Sequence, residues 1–149
     1  MRKSEILKIL KKVMPTVDQP YDVPTKSDWI KLESKFGTVF PQEFVDFVEL
    51  LTGFEFPGDF YNVNSTENTN GNDYIGLVYD MESSQIEWPK WFVPFYGIGN
   101  GDYFGLDSRE GLTASVHYWY HDRLATEPFK KSFWAWIENL ESLLGEMET

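Results

Sequence analysis

The spacing of apolar residues changes along this chain, and that change constrains the fold more than any other feature. Up to Gly53 apolar residues recur at helical spacing, whereas from Trp88 they alternate with a period of two. Short turns separate three candidate strands: WFVPFYGIG, DYFGLD and TASVHYWYH. Strands joined in this way pair antiparallel, and helical spacing returns in the closing segment EPFKKSFWAWIENLESLL. We predict an α+β fold: an antiparallel sheet of about four to six strands, with N-terminal helices and a C-terminal helix packed on it.

The first third of the chain contains three candidate helices. Residues 1–14 form an amphipathic helix, with most of its lysines opposite an apolar stripe. The second helix takes Ser27 as its N-cap and Gly37 as its C-cap. The third helix takes Pro41 as its first residue and ends at Gly53. We expect the second and third helices to pack as a pair.

The middle of the chain is less regular. FEFPGDFYNV is compatible with a short strand or a hairpin, and NSTENTNGND is a polar loop with turn residues at almost every position. For NDYIGLVYDMESS we predict a helix capped by Asn72 or Asp73, although its Tyr, Ile and Val residues also suit a strand.

The stretch FVPFYGIGNGDYFGLD resembles a ligand loop at first sight. A dinucleotide fingerprint that starts at Gly97 would need glycine where Asp102 stands, and that carboxylate would repel a phosphate. A calcium loop aligned on Gly101 would have Tyr96 at its first ligand position. Both kinds of ligand loop are therefore rejected.

The same stretch is better explained as a hairpin. Asn100-Gly101 predicts a type I′ turn, in which both central residues have positive φ. Gly97 and Gly99 are then positions of a bulge or of close approach, and Gly105 makes room for a neighbouring side chain.

Charge is distributed unevenly along the sequence. The 13 Lys and Arg against 24 Asp and Glu give a net charge of −11. Residues 1–12 hold five basic residues and one acidic residue, so the rest of the chain carries −15. Such a surface repels nucleic acid and attracts a basic protein. The chain has no cysteine, no continuous apolar signal-peptide core and no run near the ~20 apolar residues of a membrane span, so we expect a cytoplasmic protein without membrane contact.

The titratable residues do not complete a catalytic or metal centre. His117, His121 and Asp122 are a metal candidate, but four residues along a straight strand separate the two imidazoles by about 13 Å, and only a bend would bring them together. Asp102 and Asp107 should point to opposite faces of one strand, so they cannot form a facing acid pair. The chain also lacks a G-x-S-x-G nucleophile elbow. We predict no metal, no cofactor and no enzymatic activity.

Aromatic residues offer another kind of site. A sugar-binding platform could use Trp88, Trp91, Tyr118 and Tyr120, although aromatics at helix and strand spacing usually belong to the core. A small-ligand, carbohydrate-binding domain stays open as an alternative.

Several motifs, in order, resemble the SUKH superfamily in its Smi/Knr-type branch. They are W-I-x-L-E-x-x-F-G-x-x-F-P-x-x-F-x-x-F from Trp29 to Phe47, then FVPFYGIGNGDYFGLD, SVHYWYHD and SFWAWI, which together cover about residues 26–140. Thr52-Gly53 replaces the family's usual Asn-Gly or Gly-Gly. The resemblance implies a single α+β domain over residues 1–149 with no known enzymatic activity. It also implies either a bacterial immunity protein that neutralises a cognate toxin, frequently a nuclease, or a regulator of cell-wall synthesis and signalling of the fungal type.

An immunity role fits the acidic composition, because carboxylates can occupy the basic cleft of a nuclease. We expect a contact surface that combines carboxylates with exposed tyrosines near the sheet edge and after the middle segment. The predicted contact residues are Asp80, Glu82, Asp102, Tyr103, Asp107, Tyr118, Tyr120 and Asp122. An intracellular scaffold or cell-wall regulator of the same family is the alternative.

Overall fold

The computed structural model describes residues 2–147. The helices are α1 (Lys3–Val13), α2 (Lys26–Phe36), α3 (Gln42–Leu51), α4 (Ile75–Glu82), α5 (Phe133–Glu138) and α6 (Leu140–Met147). The strands are β1 (Asp59–Phe60), β2 (Phe92–Gly97), β3 (Tyr103–Asp107), β4 (Val116–Tyr120) and β5 (Ala125–Lys130), and a 3₁₀ segment spans Ser108–Thr113. Within this part of the chain, no helix has the length and apolar character that crossing a membrane requires.

The strands form a single antiparallel sheet in the order β1-β2-β3-β4-β5. Pro94 lies opposite Gly105 and Tyr96 opposite Phe104, so Phe95 is an extra residue in β2. This bulge lets Phe95 and Tyr96, although consecutive, both enter the core. The predicted α+β fold, with four to six antiparallel strands between N-terminal and C-terminal helices, is confirmed.

The main core lies between one face of the sheet and helices α1, α3, α5 and α6. Aromatic rings fill much of it: Phe44 meets Phe133 edge-on at 5.0 Å between ring centroids, and Phe95 meets Trp136 in the same way at 5.0 Å. Successive strand residues face opposite sides, so the sheet also has a second, smaller apolar layer. That layer consists of Trp88, Phe92 and Trp119.

The ends of α2 and α3 differ from the prediction by one or two residues. Thr25, not Ser27, is the N-cap of α2: its hydroxyl accepts from the N–H of Asp28 at 3.2 Å, and the Asp28 carboxylate accepts from the N–H of Thr25 at 2.7 Å. This reciprocal capping box satisfies two backbone donors, whereas Ser27 lies inside the first turn. Gly37 ends the helix in the left-handed conformation, as predicted. Pro41 precedes α3 instead of being its first residue.

The middle segment contains a two-residue strand, β1, within FEFPGDFYNV and a helix, α4, within NDYIGLVYDMESS. The helix was predicted, and a short strand was one of the two possibilities for FEFPGDFYNV, but the predicted N-cap of the helix differs from the observed one. Tyr74 stands at the N-cap and makes no side-chain bond there, so Asn72 or Asp73 as the cap is wrong.

The β2–β3 hairpin is confirmed, but its type I′ turn is wrong. The loop spans residues 98–102, and positive φ occurs at Gly99 (90°) and Gly101 (96°) but not at Asn100. The Asn100 side chain instead accepts a hydrogen bond from the N–H of Asp102 at 2.9 Å, so it closes an Asx turn. Gly105 makes room for Phe92 as expected, because an added Cβ would lie 2.5 Å from that ring.

The C-terminal segment begins with a strand, not with a helix. Residues 125–130 pair with β4 as β5, and Phe129 packs on Phe104 with ring centroids 4.8 Å apart. The helix begins only after Ser132, whose hydroxyl accepts from the N–H of Ala135 at 3.1 Å. Pro128 lacks the N–H that a helix interior needs, and a break at Asn139 then separates α5 from α6.

Candidate functional site

The predicted contact residues lie in three places on the molecule. Asp102, Tyr118, Tyr120 and Asp122 lie where the β2–β3 turn meets the β4–β5 turn. Asp107 ends β3 at its other end. Asp80 and Glu82 lie on α4, and Glu82 is next to Tyr103.

Asp102 is an internal acceptor that ties two turns together. It is 8% exposed and accepts from the Tyr118 hydroxyl at 2.7 Å and from the N–H of His121 at 2.8 Å. The imidazole Nδ1 of His121 is 2.6 Å from the same carboxylate. Burial alone would raise the pKa of Asp102, but these hydrogen bonds outweigh burial and lower it. Asp102 therefore holds the β3 and β4 ends in register.

The residues around Asp102 form a more exposed cluster on the β4–β5 turn. The Tyr120 hydroxyl donates to Glu127 at 3.1 Å, and the Arg123 guanidinium lies 3.7 Å from the centre of the Tyr120 ring. Tyr118 packs against Tyr120 with ring centroids 4.5 Å apart. Asp122 is exposed beside them. This part of the surface offers tyrosine and carboxylate, but Arg123 partly offsets its negative charge.

Asp107 is the other buried carboxylate, and it fixes an exposed arginine. It is 3% exposed and accepts from Arg109 at Nε (3.0 Å) and at Nη2 (2.7 Å). The same guanidinium stacks on Trp91, 4.3 Å from the ring centre. Burial raises the pKa of Asp107, but the hydrogen bonds from Arg109 outweigh burial and lower it. As predicted, Asp102 and Asp107 face opposite sides of β3, because Asp107 lies near His117 and Asp102 near Tyr118.

Polar groups next to Asp107 resemble a catalytic triad in composition only. The hydroxyl of Ser115 is 2.9 Å from Nε2 of His117 and also donates to Glu110. Asp107 approaches the same Nε2, at 3.9 Å. A triad needs the acid at one imidazole nitrogen and the nucleophile at the other, so this geometry cannot relay a proton from serine. Burial lowers the pKa of His117, which favours the neutral imidazole.

The same place is the strongest metal candidate among the described residues. Donor atoms of Asp107, Glu110 and His117 lie within 4.8 Å of one another. Both oxygens of Asp107 already bind Arg109, and Glu110 accepts from the Ser115 backbone at 3.0 Å, so an ion would have to displace these bonds. His117 and His121, the metal candidate predicted from the sequence, do not share a site, because each histidine is paired with a different aspartate.

The acidic residues of α4 are held less tightly. Asp80 binds Nζ of Lys35 at 2.7 Å but remains mostly exposed. Tyr103 is half-buried and contacts Trp88, with ring centroids 5.8 Å apart. Burial, followed by the neighbouring Glu82 carboxylate, raises the pKa of Tyr103 to about 12. Glu82 therefore acts partly as a support for Tyr103, whereas Asp80 is available at the surface.

A sugar-binding platform built on Trp88 and Trp91 is not supported. Trp88 is 1% exposed, within the second apolar layer, and Arg109 covers one face of Trp91. Both tryptophans therefore serve packing, which corrects this part of the carbohydrate alternative.

Several surface residues near these sites were not predicted from the sequence. Arg109, Ser115 and Glu110 surround Asp107, and Leu77, Met81 and Ile86 project from α4 and the turn after it. An Arg two residues after a strand-end Asp was a readable signal for a local ion pair. The exposed apolar residues gave no such signal, because their spacing is that of a core helix.

Comparison with known proteins gives one family and one solved structure. The sequence matches the SUKH_5 family, described as "SMI1-KNR4 cell-wall", over residues 4–142. A crystal structure of a protein from Pseudomonas syringae pv. tomato superposes with a TM-score of 0.65 at 17% identity, over 91% of this chain and 96% of that one. At that identity the likeness concerns the fold alone, and no curated protein matches significantly. Since the family match spans nearly the whole chain and agrees with the α+β architecture, the protein belongs to the SUKH_5 family.

Proposed function

We propose that this protein is a non-enzymatic immunity protein that binds and neutralises a cognate toxin domain in the cytoplasm. The observation that carries the proposal is the SUKH_5 match over residues 4–142. The resemblance to SUKH immunity proteins gives that match its functional meaning. The net charge of −11 adds support, since a toxin that acts on nucleic acid presents a basic cleft to its inhibitor.

The polar clusters favour binding over catalysis. Asp102 and Asp107 are saturated by internal hydrogen bonds, and Ser115 and Asp107 meet the same nitrogen of His117. Groups that are already satisfied and rigid make a poor proton relay but a well-ordered frame for contact residues.

The proposed contact residues divide into two kinds. Asp80 and Asp122 are exposed and can touch a partner directly. Asp102 and Asp107 contribute by holding the residues around them, through the hydrogen bonds described above. The remaining members, half-buried in the structure, are Glu82, Tyr103, Tyr118 and Tyr120.

A co-expression experiment tests the proposal. The immunity function predicts a toxin gene next to this one, and the toxic C-terminal domain of that toxin is expressed in a bacterial host with and without this protein. We expect growth to be restored, and the two purified proteins to form a complex in size-exclusion chromatography. A toxin domain from an unrelated locus is the control and should remain toxic. If the adjacent domain stays toxic while this protein is present in excess, the immunity function is wrong.

The words "cell-wall" in the family description favour a second candidate, a cell-wall regulator that acts as a protein scaffold. That role requires no toxin gene nearby, and deleting the gene should alter sensitivity to cell-wall-active antibiotics. The immunity function predicts no such change when the toxin is also deleted.

A further inference from the structure

Helix α4 and the turn after it expose three large apolar side chains. Leu77 is 48% exposed, Met81 61% and Ile86 95%. Leu77 and Met81 are four residues apart, so they share one face of the helix. Ile86 follows in the turn that leads to Trp88. Apolar side chains grouped on a surface indicate an interaction site more often than scattered ones do.

The helix and turn that bear these side chains are held firmly by packing and hydrogen bonds. Trp88, directly after the turn, is buried against Phe92 and Trp119. The Tyr79 hydroxyl donates to the carbonyl of Lys90 at 3.0 Å, and its ring meets Phe36 of α2 edge-on at 4.8 Å. A partner would find these apolar groups already placed, which reduces the entropy lost on binding.

Acidic residues outnumber basic ones around α4 and its turn. Asp80, Glu82 and Glu87 lie on α4 and its turn, and residues 36–89 contain ten Asp or Glu and no Lys or Arg. Lys35 and Lys90 stand at the two ends of that segment. Lys35 is bound to Asp80, and Lys90 donates to the Ser83 carbonyl.

The β4–β5 turn and strand β5 hold a larger share of basic residues. Arg123 stacks on Tyr120 there, Lys130 ends β5, and Lys131 follows directly after it. Negative potential therefore favours α4 over the β4–β5 turn as the binding site for a positively charged protein.

Building on the proposed function, we propose that the basic toxin domain docks on α4 and its turn. We define this α4 surface by its apolar residues Leu77, Met81 and Ile86 and its rim of Asp80, Glu82 and Glu87. The apolar residues supply contact energy at the centre, and the carboxylates orient the partner at the edge. The tyrosines of the β4–β5 turn then lie outside the interface centre.

Paired alanine variants test this docking site without changing charge. The probe is the purified domain encoded by the adjacent toxin gene, inactivated in its catalytic site. Met81→Ala/Ile86→Ala should weaken binding about 10- to 100-fold in calorimetry, the loss expected when two apolar anchors are truncated. The matched control, Leu112→Ala/Leu124→Ala, truncates two other exposed leucines and should bind within twofold of the wild type. Hydrogen exchange on the complex should slow for residues 75–88.

The outcomes separate the docking site from the function. A wild-type protein that neither binds nor neutralises the toxin overturns both. A wild type that protects, with Met81→Ala/Ile86→Ala binding within threefold and no slowed exchange in residues 75–88, keeps the immunity function and overturns the α4 surface. Loss of binding in the Leu112→Ala/Leu124→Ala control alone would move the interface to the 3₁₀ segment and the β4–β5 turn.

Discussion

Two buried aspartates in this protein bind groups within the fold, although the sequence suggested that they contact a partner. Asp102 and Asp107 are in turns or at a strand end, where an acidic residue is normally solvated. Both are buried, and each carboxylate is bound by donors from other residues. An acceptor fixed in this way specifies where its donors stand, so its removal should affect stability before it affects any contact.

Asp102→Asn should lower the free energy of unfolding by about 1–3 kcal/mol. The substitution removes the negative charge and replaces one acceptor oxygen with an NH2 group, which faces the donors that bind Asp102. Urea unfolding followed by tryptophan fluorescence measures the change. The control is Asp122→Asn, which alters an exposed carboxylate on the adjoining turn and should leave the urea midpoint unchanged. Equal midpoints for Asp102→Asn and the wild type would contradict the role of Asp102 as an internal tie.

Stability should fall on acidification, and the same residues give the reason. The pKa values of Asp102 and Asp107 are lower in the folded chain than the usual value near 3.9, so both stabilise the fold above that value and lose this contribution as the pH falls through the folded pKa. His117, with a pKa lowered by burial, acts in the same direction from about pH 6.5 downward. Urea midpoints between pH 7 and 3 should decline, and more gently in Asp107→Asn. An identical slope in that variant would exclude Asp107 as a source.

At the scale of elements, helix α2 offers a direct test of its observed cap. Thr25→Ala should cost about 1 kcal/mol, since it removes the hydroxyl that accepts from the Asp28 backbone. Ser27→Ala, two residues later and inside the first turn, should change the melting temperature little. Thermal unfolding monitored by circular dichroism compares the two variants. A larger effect from Ser27→Ala would restore Ser27 as the cap.

Elements with one dominant period were predictable, and those decided by distant partners were not. Helices α2 and α3 and strands β2 to β4 follow from apolar spacing. Strand β5 was missed because Phe129 has helical spacing with Phe133 and Trp136. In the structure Phe129 packs on Phe104 of β3, and β4 lies between their two strands. The turn at Asn100 was mistaken for type I′ because the dipeptide suggested a two-residue loop, whereas pairing of the strands leaves five residues in it.

The candidate site was predictable in composition but not in placement. Carboxylates and tyrosines were identified by type, and Asp80 and Asp122 do reach the surface. Burial of Asp102 depends on Tyr118 and His121, which are 16 and 19 residues away, so no local pattern announces it. Exposure of Met81 depends on which helix faces remain uncovered after packing, and spacing alone does not reveal that.

The whole molecule is electrically asymmetric. Residues 1–12 carry five basic residues and one acidic residue, and in the structure these belong to α1 and its start. Residues 36–89 carry ten acidic residues and no basic ones, and they include α3, β1 and α4. Arg2 and Lys3 pair with Glu43 and Asp46 of α3, so those two carboxylates are balanced in space. The other acidic residues of the segment, those of α4 included, would orient a charged partner beyond the effect of net charge.

Association with the toxin domain should be fast at low salt and should slow as ionic strength rises, because screening shortens the reach of the acidic segment. Asp80→Asn/Glu87→Gln should reduce the association rate constant more than Glu5→Gln/Glu138→Gln, although each variant removes two negative charges. Stopped-flow fluorescence at several salt concentrations gives the rates, and the two variants should converge at high salt. If both pairs slow association equally at low salt, net charge alone drives the encounter. If neither pair does and the rate is independent of salt, electrostatic steering has no part in recognition.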